Sequence, residues 1–436
     1  MRRLVLGVVI VVLGASCGWA RPRFDAGNTG NNPVERLLSA ANVGTLAKQF
    51  AVASATSSSA AKFVVAGGHV YVEGSALRVF DANGNEGCGG SPRTCSPQWS
   101  LDGPGVADVQ GRAIYAPVVN QGARGYDAGG VTNCSGSPRI CHSSWGEQLG
   151  PAVDGPTDPN AMHFVKLTTS AHGSESVSIV GYPIGCDGGS CVCVQFCTEK
   201  WIAGVGGGAN GGAVGGPAVA NGVVYASYSP VGGSATLSAF DGTNGVGAAS
   251  LWSAAISGVT GSAIAVGDGV VVLPEYSAGG SRLDVFDAAG RMGCSGSPRV
   301  CLPLWTTDVI AARDDAAPAI ANGVLYRAAG SQLRGYDLGQ SHCTGSPRVC
   351  TQSWTAAVGP NVTAPAVANG LVFASASDGT VEAFDAQGVS NCSATTHVCS
   401  ALWDTNIGAA AGMVAVADGR VFVAAGNGTV TAFGLP

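Results

Sequence analysis

A 20-residue motif that recurs along nearly the whole chain constrains the fold more than any other feature of the sequence. Its clearest copy, FDAAGRMGCSGSPRVCLPLW, runs from Phe286 to Trp305. Five clear copies and two degenerate ones end on the tryptophans Trp99, Trp145, Trp201, Trp252, Trp305, Trp354 and Trp403. Successive tryptophans are 46 to 56 residues apart. Such periods are typical of the blades of a β-propeller.

Each repeat unit predicts four short antiparallel strands. In the unit that ends near Trp403 they lie in the segments APAVANG, LVFASASDG, TVEAFDAQG and ALW. Asn-Gly and Asp-Gly dipeptides between the first two segments are typical of two-residue hairpin turns. An aspartate recurs at the end of the third segment, and this repetition favours a structural role in the following turn over a ligand role. The recurring aspartates are Asp81, Asp127, Asp241, Asp287, Asp337 and Asp385.

The two ends of the chain predict a closed ring. The last unit supplies three strands before Pro436, and Asn42 to Ser54 supplies a fourth strand with Phe50 in the tryptophan position. Pairing these ends would hide two sheet edges that otherwise invite aggregation. Phe50 and the seven tryptophans therefore predict an all-β, eight-bladed β-propeller of four-stranded blades, formed as one domain by residues 42–436.

Residues 1–20 are predicted to be an export signal, because a short basic start precedes an apolar run and small residues. The segment LGASC that ends at Cys17 favours lipidation of that cysteine, whereas cleavage after Ala20 would release a freely secreted protein. Residues 21–41 are predicted to be a polar tether. No other apolar stretch has the length of a membrane-spanning helix, so we expect no transmembrane segment in the mature protein.

Fourteen cysteines remain when Cys17 is set aside. Five pairs share the spacing C-x6-C and are predicted to be disulfides, namely Cys88/Cys95, Cys134/Cys141, Cys294/Cys301, Cys343/Cys350 and Cys392/Cys399. Zinc is disfavoured because these pairs lie in separate units, whereas a zinc site needs four ligands together. The other four cysteines favour Cys191/Cys197 beside Cys186/Cys193, although three connectivities are possible. Disulfides at this number imply an oxidising compartment.

The repeat xPAVANGxVYxxSxDGxLxAFDAxG, ending in a loop and a tryptophan, resembles the PQQ-binding-like β-propeller repeat family. That family includes quinoprotein dehydrogenases and the lipoprotein of the outer-membrane β-barrel assembly machine. The start of the chain at Phe24 to Gly30 is also similar to secreted members. The resemblance implies the propeller fold, and the dehydrogenases carry an adjacent Cys-Cys pair, calcium ligands and a catalytic aspartate. No Cys-Cys dipeptide occurs here, so we expect no catalytic residue, no cofactor and no metal site.

Small residues are expected at the ring's axis, where an enzyme of this family would bind its quinone. The tripeptides at 218–220, 319–321 and 366–368 are Ala-Val-Ala, Ala-Ile-Ala and Ala-Val-Ala. Their side chains provide neither a stacking plane nor a calcium ligand. This supports the expectation that the protein holds no quinone.

Four arginines within the Ser-Pro-Arg tripeptides of the Cys loops form a candidate binding rim. They are Arg93, Arg139, Arg299 and Arg348, and we expect them at corresponding loop tips on one face of the disc. Arginines can bind carboxylates through paired hydrogen bonds, which suits an acidic protein patch or a cell-wall polymer. The alternative is that Pro-Arg only shapes the loop. The net charge of −6 argues against nucleic acid as a partner.

The sequence thus predicts an exported, monomeric, non-catalytic propeller that acts as a binding or scaffolding module at the cell envelope, either lipid-anchored or extracellular. The expected partner is an envelope protein or a cell-wall polymer. The alternatives are a quinone- or calcium-dependent dehydrogenase-like protein and a carbohydrate-binding propeller.

Overall fold

The computed structural model describes most of the chain. The described residues are 18–54, 62–103, 108–110, 113–118, 122–143, 145–147, 161–169, 175–183, 186–187, 190–191, 201–208, 212–231, 233–243, 249–260, 263–311 and 316–436. None of the helices within them is long and apolar enough to cross a membrane. Their regular secondary structure is β-strand except for a 3-10 turn at Val43–Thr45, which confirms the all-β class.

Six sheets in the described part of the chain are complete blades, in which a four-stranded meander carries at least one further strand from elsewhere in the chain. We name each blade by the aromatic residue of its fourth strand, and we call that strand the Trp strand. The first strands of neighbouring blades contact one another around the axis. The fold is therefore a β-propeller, with the Trp strands outermost in each meander.

The strands of the first three blades run from the axis outwards. The Phe50 blade contains Ala411–Ala417, Arg420–Ala425, Thr429–Gly434, Ala47–Ala53, Thr94–Cys95 and Cys88–Gly89. The Trp99 blade contains Phe63–Ala66, His69–Val72, Arg78–Asp81, Trp99–Leu101, Ile140–Cys141 and Cys134–Ser135. The Trp252 blade contains Gly212–Ala220, Val223–Pro230, Ala235–Asp241, Ser250–Ile256, Val300–Cys301 and Cys294–Ser295.

The other three blades follow the same order. The Trp305 blade contains Val259–Thr260 and Ala265–Gly267, which both pair with the next strand, then Val270–Ser277, Gly280–Asp287, Trp305–Thr307, Val349–Cys350 and Cys343–Thr344. The Trp354 blade contains Ala319–Ala321, Val324–Ala329, Gln332–Asp337, Trp354–Ala357 and Val398–Cys399. The Trp403 blade contains Asn31–Asn32, Ala366–Ala368, Leu371–Ser375, Thr380–Asp385 and Trp403–Asn406.

Two units between the Trp99 and Trp252 blades form smaller sheets. The first contains Asp108–Gln110, Ala113–Val118, Gly122–Asp127 and Trp145–Glu147. The second contains Ala161–Thr169, Glu175–Pro183 and Trp201–Gly208. A separate two-stranded hairpin is made of Cys186–Asp187 and Ser190–Cys191.

The predicted count of eight four-stranded blades is wrong, because the described part of the chain forms six complete blades. The prediction treated every repeat unit as one blade. A complete blade, however, also contains at least one strand from outside its own meander. The unit that follows Trp201 contains no cysteine. In the unit that follows Trp145, the described strands Cys186–Asp187 and Ser190–Cys191 form a sheet of their own. The six blades themselves have five to seven strands rather than four.

The N-terminal strand does complete the last blade. Ala47–Ala53 pairs antiparallel with Thr429–Gly434, and Phe50 lies opposite Ala432. The ring of Phe50 is buried and packs edge-on against Phe422. Phe50 therefore takes the place that a tryptophan has in the other blades.

The hairpin turns explain the recurring Asn-Gly and Asp-Gly dipeptides. The first residue of each turn has a positive φ, for example 51° at Asn322, 43° at Asn369 and 50° at Asp418. Asparagine, aspartate and glycine adopt this conformation at the lowest steric cost. The predicted two-residue hairpins are thus confirmed at these positions.

The core lies between the blades rather than within one sheet. Trp252, Ile256, Leu273 and Phe286 form a single buried cluster that joins the Trp252 and Trp305 blades. Tyrosine hydroxyls add hydrogen bonds across such boundaries, as from Tyr326 to the Ala386 carbonyl at 3.0 Å. Apolar packing and these bonds hold neighbouring blades face to face.

The segment from Trp19 to Asn32 runs around the axis and covers the inner edges of the blades. Its carbonyls accept hydrogen bonds from the central N–H of successive first strands. These bonds are Val65 to Trp19 (2.8 Å), Val109 to Ala20 (3.1 Å), Val219 to Ala26 (2.7 Å), Val266 to Gly27 (2.7 Å), Ile320 to Thr29 (2.9 Å) and Val367 to Gly30 (2.7 Å). The range 21–41, predicted to be a tether, therefore packs against the propeller along most of its length.

Candidate binding surfaces

The outer edges of five blades are covered by the Cys hairpins, which we define as the segments between the two cysteines of each C-x6-C pair. Each hairpin belongs to the next unit and pairs parallel with the Trp strand of the blade before it. All five predicted C-x6-C disulfides are present. The hairpins thus place their disulfides on the outer wall of the propeller.

One hydrogen bond recurs at each of these contacts. The N–H that follows the aromatic residue of the Trp strand donates to a carbonyl of the hairpin. The pairs are Ala51 to Arg93 (3.0 Å), Ser100 to Arg139 (3.1 Å), Ser253 to Arg299 (3.1 Å), Thr306 to Arg348 (3.0 Å) and Thr355 to His397 (3.0 Å). These bonds satisfy edge groups that would otherwise be open to another strand.

The four rim arginines lie in these hairpins, on the outer wall, and their side chains are exposed. Three of them donate from Nη1 to a glycine carbonyl of their own loop, as Arg139 does to Gly130 at 3.0 Å. Arg348 donates instead to the Gln340 side chain at 2.5 Å. The guanidinium groups therefore help to shape the loops, and their role as a binding rim stays a prediction.

The recurring aspartates hold the turns before the hairpins. The carboxylate of Asp81 accepts the N–H groups of Asn83, Asn85 and Glu86 at 2.8 to 2.9 Å. Partial burial works against the charged form, but these bonds outweigh it and keep the pKa of Asp81 below its usual range. The predicted structural role of the aspartate is thus confirmed at this position.

Glycine is needed where such a turn meets the aromatic ring of the preceding blade. Gly130 has a φ of +62°, and a Cβ there would overlap the Trp99 ring. Gly290 has the same relation to Trp252. The glycine of one unit and the tryptophan of the unit before it therefore form a repeated contact between blades.

The four cysteines from Cys186 to Cys197 are described only in part. The backbones of Cys186 and Cys191 face each other in the two-stranded hairpin, as the paired cysteines do in the Cys hairpins. Cys193 and Cys197 lie outside the described residues, as does Cys17. The favoured pairing of Cys191 with Cys197 therefore stays a prediction.

The axis carries charged side chains as well as the small ones that the sequence predicts there. Arg23 donates to the carbonyls of Pro318 and Pro365 at 2.6 and 3.0 Å, and burial lowers its pKa to about 10 despite nearby Asp25. Arg21 pairs with Asp108 at 3.1 Å. Sequence reasoning missed these contacts, because a segment without periodic apolar residues gives no sign that it will pack.

Two shallow grooves lie on the described surface. One, of about 420 Å³, lies between neighbouring loops and is lined by His69, Glu86, Gln98 and Arg139 among others. The other, of about 410 Å³, contains Asp308, Gln332 and Arg334. Each is a polar groove that could take an exposed side chain of a partner. In the part of the chain that the structure describes, no cluster of three or more metal-ligating side chains is found.

Acidic groups lie at the boundaries between blades, away from the Cys hairpins. Glu275 and Asp284 share the Arg282 guanidinium, with N to O distances of 2.6 and 2.9 Å. Burial and the neighbouring Glu275 raise the pKa of Asp284 above its usual range. Asp308 pairs with Arg334 at 2.7 Å across the next boundary.

The boundary between the Trp354 and Trp403 blades differs from these. Glu382 takes the position of Arg334 in its blade and lies directly opposite Asp404 on the Trp strand. Partial burial, with repulsion from Asp404 and Asp378, raises the pKa of Glu382 to about 7. Its Oε2 atom is buried and has no hydrogen-bond partner among the described residues. This position was not singled out from sequence, because the repeat itself does not include it.

No protein-family model matches the sequence, and no curated protein matches it. Solved structures do match. The chain is similar to the computationally designed Ika8 protein, with 14% identity, coverage of 88% of this chain and 99% of that chain, and a TM-score of 0.57. It is also similar to Sqt1 from Saccharomyces cerevisiae, with 13% identity, coverage of 91% of this chain and 97% of that chain, and a TM-score of 0.52. BamB from Moraxella catarrhalis matches with 14% identity, coverage of 78% of this chain and 86% of that chain, and a TM-score of 0.46.

Identities of this size establish the β-propeller fold alone, because one fold hosts many functions. The resemblance to the PQQ-binding-like repeat family is not confirmed by a family match and stays a prediction. The function has to be argued from the surfaces described above.

Proposed function

We propose that this chain is an exported, non-catalytic member of the PQQ-like propellers that binds or scaffolds a protein at the cell envelope. The observation that carries the proposal is the filling of the axis by the segment from Trp19 to Asn32. This segment occupies the N–H groups of the first strands, and the axis is where the related dehydrogenases bind their quinone. A rigid ring with a filled axis offers its outer surfaces to a partner.

The Cys hairpins support export. All five disulfides lie on the outer wall, and disulfides in this number form and persist in compartments such as the periplasm or the extracellular space. We therefore assign the protein to an oxidising compartment, with its export signal within residues 1–20.

A lipid anchor at Cys17 fits the contacts of Trp19 better than cleavage after Ala20. Trp19 is fully buried, exchanges two backbone hydrogen bonds with Val65 at 2.6 and 2.8 Å, and packs edge-on against Phe24. Cleavage after Ala20 would remove these contacts. Mass spectrometry of the mature protein should find a lipidated N-terminus at Cys17, and an N-terminus at Arg21 would contradict this assignment.

The partner can be tested by capture from envelope extracts. We expect the immobilised wild-type protein to retain a specific protein. A variant with Arg93, Arg139, Arg299 and Arg348 all changed to glutamine tests the rim, provided that its melting temperature shows it to be folded. Capture by both proteins would remove the rim from the contact, and capture by neither would contradict the binding function.

The enzymatic alternative has its own test. Adding a quinone and calcium should leave the melting temperature unchanged, whereas a true ligand at a hundred times its dissociation constant would add about 2.7 kcal/mol to the free energy of unfolding. A clear rise in melting temperature, or reduction of a dye with an alcohol or sugar, would favour a dehydrogenase instead.

A further inference from the structure

The Trp403 blade is the one complete blade in the described part of the chain whose Trp strand has no strand on its outer side. Five blades carry a Cys hairpin there, but the unit after Trp403 contains no cysteine. The 3-10 turn at Val43–Thr45 contacts the start of this strand, and the indole N–H of Trp403 donates to the Leu46 carbonyl at 3.2 Å. Among the described residues, no strand covers the edge beyond Trp403, and we call it the open edge.

The open edge presents donors in the same places as the covered ones. The N–H of Ile407 points inwards and donates to the Gly379 carbonyl at 3.0 Å. Because N–H groups alternate in direction along a strand, those of Asp404 and Asn406 point outwards. Asp404 thus corresponds to Thr355 in the Trp354 blade, whose N–H donates to a hairpin carbonyl.

The carboxylates beside the open edge indicate the charge of a segment that would pair with it. In the covered blades the residue opposite this position is neutral, such as Ile140 opposite Ser100 and Val398 opposite Thr355. At the open edge the Trp-strand residue that corresponds to Ser100 and Thr355 is Asp404. Glu382 lies opposite Asp404 on the third strand of the same blade. Arg334 takes the corresponding place in the Trp354 blade and is neutralised by Asp308, whereas the described residues supply no cation to Glu382.

From this juxtaposition we propose that the outer edge of the Trp403 strand binds an extended segment of another protein, which pairs parallel with Trp403–Asn406 and places a lysine or arginine opposite Asp404. Main-chain bonds of added strands provide affinity and side chains provide specificity. Neighbouring strands are about 4.8 Å apart, so a long basic side chain beside Asp404 also reaches towards Glu382. This proposal rests on the binding function proposed above and locates its surface.

The test uses a hairpin of this chain as the probe. The disulfide-closed peptide of residues 343–350, CTGSPRVC, carries Val349 at the position opposite the Trp strand. A labelled version with Val349→Lys should bind the full-length protein in fluorescence anisotropy, and a matched version with Val349→Glu should bind more weakly. Removing the two carboxylates with Asp404→Asn and Glu382→Gln should weaken the lysine peptide about fivefold, the size expected for a charge pair between strands.

Backbone pairing is tested separately. Asp404→Pro removes the outward N–H, and proline is tolerated on an edge strand where that group faces solvent, so the variant should keep its melting temperature and lose the peptide. Thr355→Pro serves as the control, because the same change at an N–H already in use should lower the melting temperature.

Three results would overturn the proposal. They are no binding of the lysine peptide, binding that survives Asp404→Pro, and self-association of the wild type that Asp404→Pro abolishes, since the last assigns the edge to a second copy of this chain. Capture from envelope extracts separates the two proposals. A partner retained equally by wild type and Asp404→Pro would overturn this edge as its site while leaving the binding function intact.

Discussion

The Trp354 and Trp403 blades are neighbours with nearly the same meander, yet their outer edges differ. Their first strands, Ala319–Ala321 and Ala366–Ala368, are both buried, and both receive backbone carbonyls from the axis segment. On the outer side, Val398–Cys399 covers the Trp354 blade. No described strand covers the Trp403 blade.

This difference shows that a blade's own repeat unit determines its meander, whereas other parts of the chain determine how its edges are covered. The inner cover comes from residues more than 280 positions away along the chain. The outer cover comes from the next unit, when that unit has a Cys hairpin. Edge coverage is thus where repeat units of similar sequence acquire different roles.

The largest expected effect on stability concerns the inner edges, which the axis segment covers in both blades. Trp19→Ala should lower the free energy of unfolding by about 3–5 kcal/mol, because it removes a fully buried indole where the axis segment begins. Val34→Ala, at an exposed position just after this segment, should have little effect. Chemical denaturation of both variants measures the difference. Equal stability of Trp19→Ala and wild type would mean that the axis segment is not part of the stable core.

The second prediction compares the outer edges directly. Thr355→Pro should cost about 3 kcal/mol, because it removes an N–H that donates to the His397 carbonyl and disturbs the strand pairing. Asp404→Pro should cost less than about 1 kcal/mol, because the outward N–H at that position faces solvent. Denaturation midpoints of the two variants test this. Similar losses in both would show that the Trp403 edge is covered after all.

The inner and outer edges of these two blades show how much of the structure the sequence could predict. The turns, the tryptophan positions, the disulfide pairs and the N-terminal strand of the Phe50 blade follow from residue types that the repeat carries, as at Asn369-Gly370 and Cys392/Cys399. The blade count was wrong because the units around Trp145 and Trp201 resemble the others in sequence, but no described strand is added to their sheets. The contacts of Arg23 and the pairing of Glu382 with Asp404 depend on distant or neighbouring strands, and no local pattern indicates them.

The third prediction tests the cover of the Trp354 blade. Changing Cys392 and Cys399 together to serine should cost at most about 2.5 kcal/mol, the chain-entropy figure for an eight-residue loop. The loss should be local, because the meander keeps its own pairing. Hydrogen exchange should therefore accelerate at the N–H of Thr355 but not at that of Leu402, which donates inwards to Ala383. Faster exchange at both would mean that the hairpin supports the whole blade boundary.

The smallest expected effect is the pH dependence of the Glu382 and Asp404 pair. Burial and two neighbouring carboxylates raise the pKa of Glu382 to about 7 in the folded protein, from an ordinary value of 4.5. Between these values the folded state holds more protons than the unfolded state, so this group lowers stability as the pH rises, and the penalty is complete above about pH 7. Glu382→Gln should remove it and raise the free energy of unfolding at pH 8 by up to about 1 kcal/mol, because solvent screens a half-buried pair. At pH 4 the Glu382 carboxyl is mostly protonated in the folded and the unfolded state, so the difference in stability between wild type and Glu382→Gln should vanish.

Asp308, which Arg334 neutralises, provides the contrast, because Asp308→Asn should lower stability at pH 8. A Glu382→Gln variant that is less stable than wild type at pH 8 would show that a cation within the chain already compensates this carboxylate, and the open edge would then lose the charge that makes it differ from its neighbour.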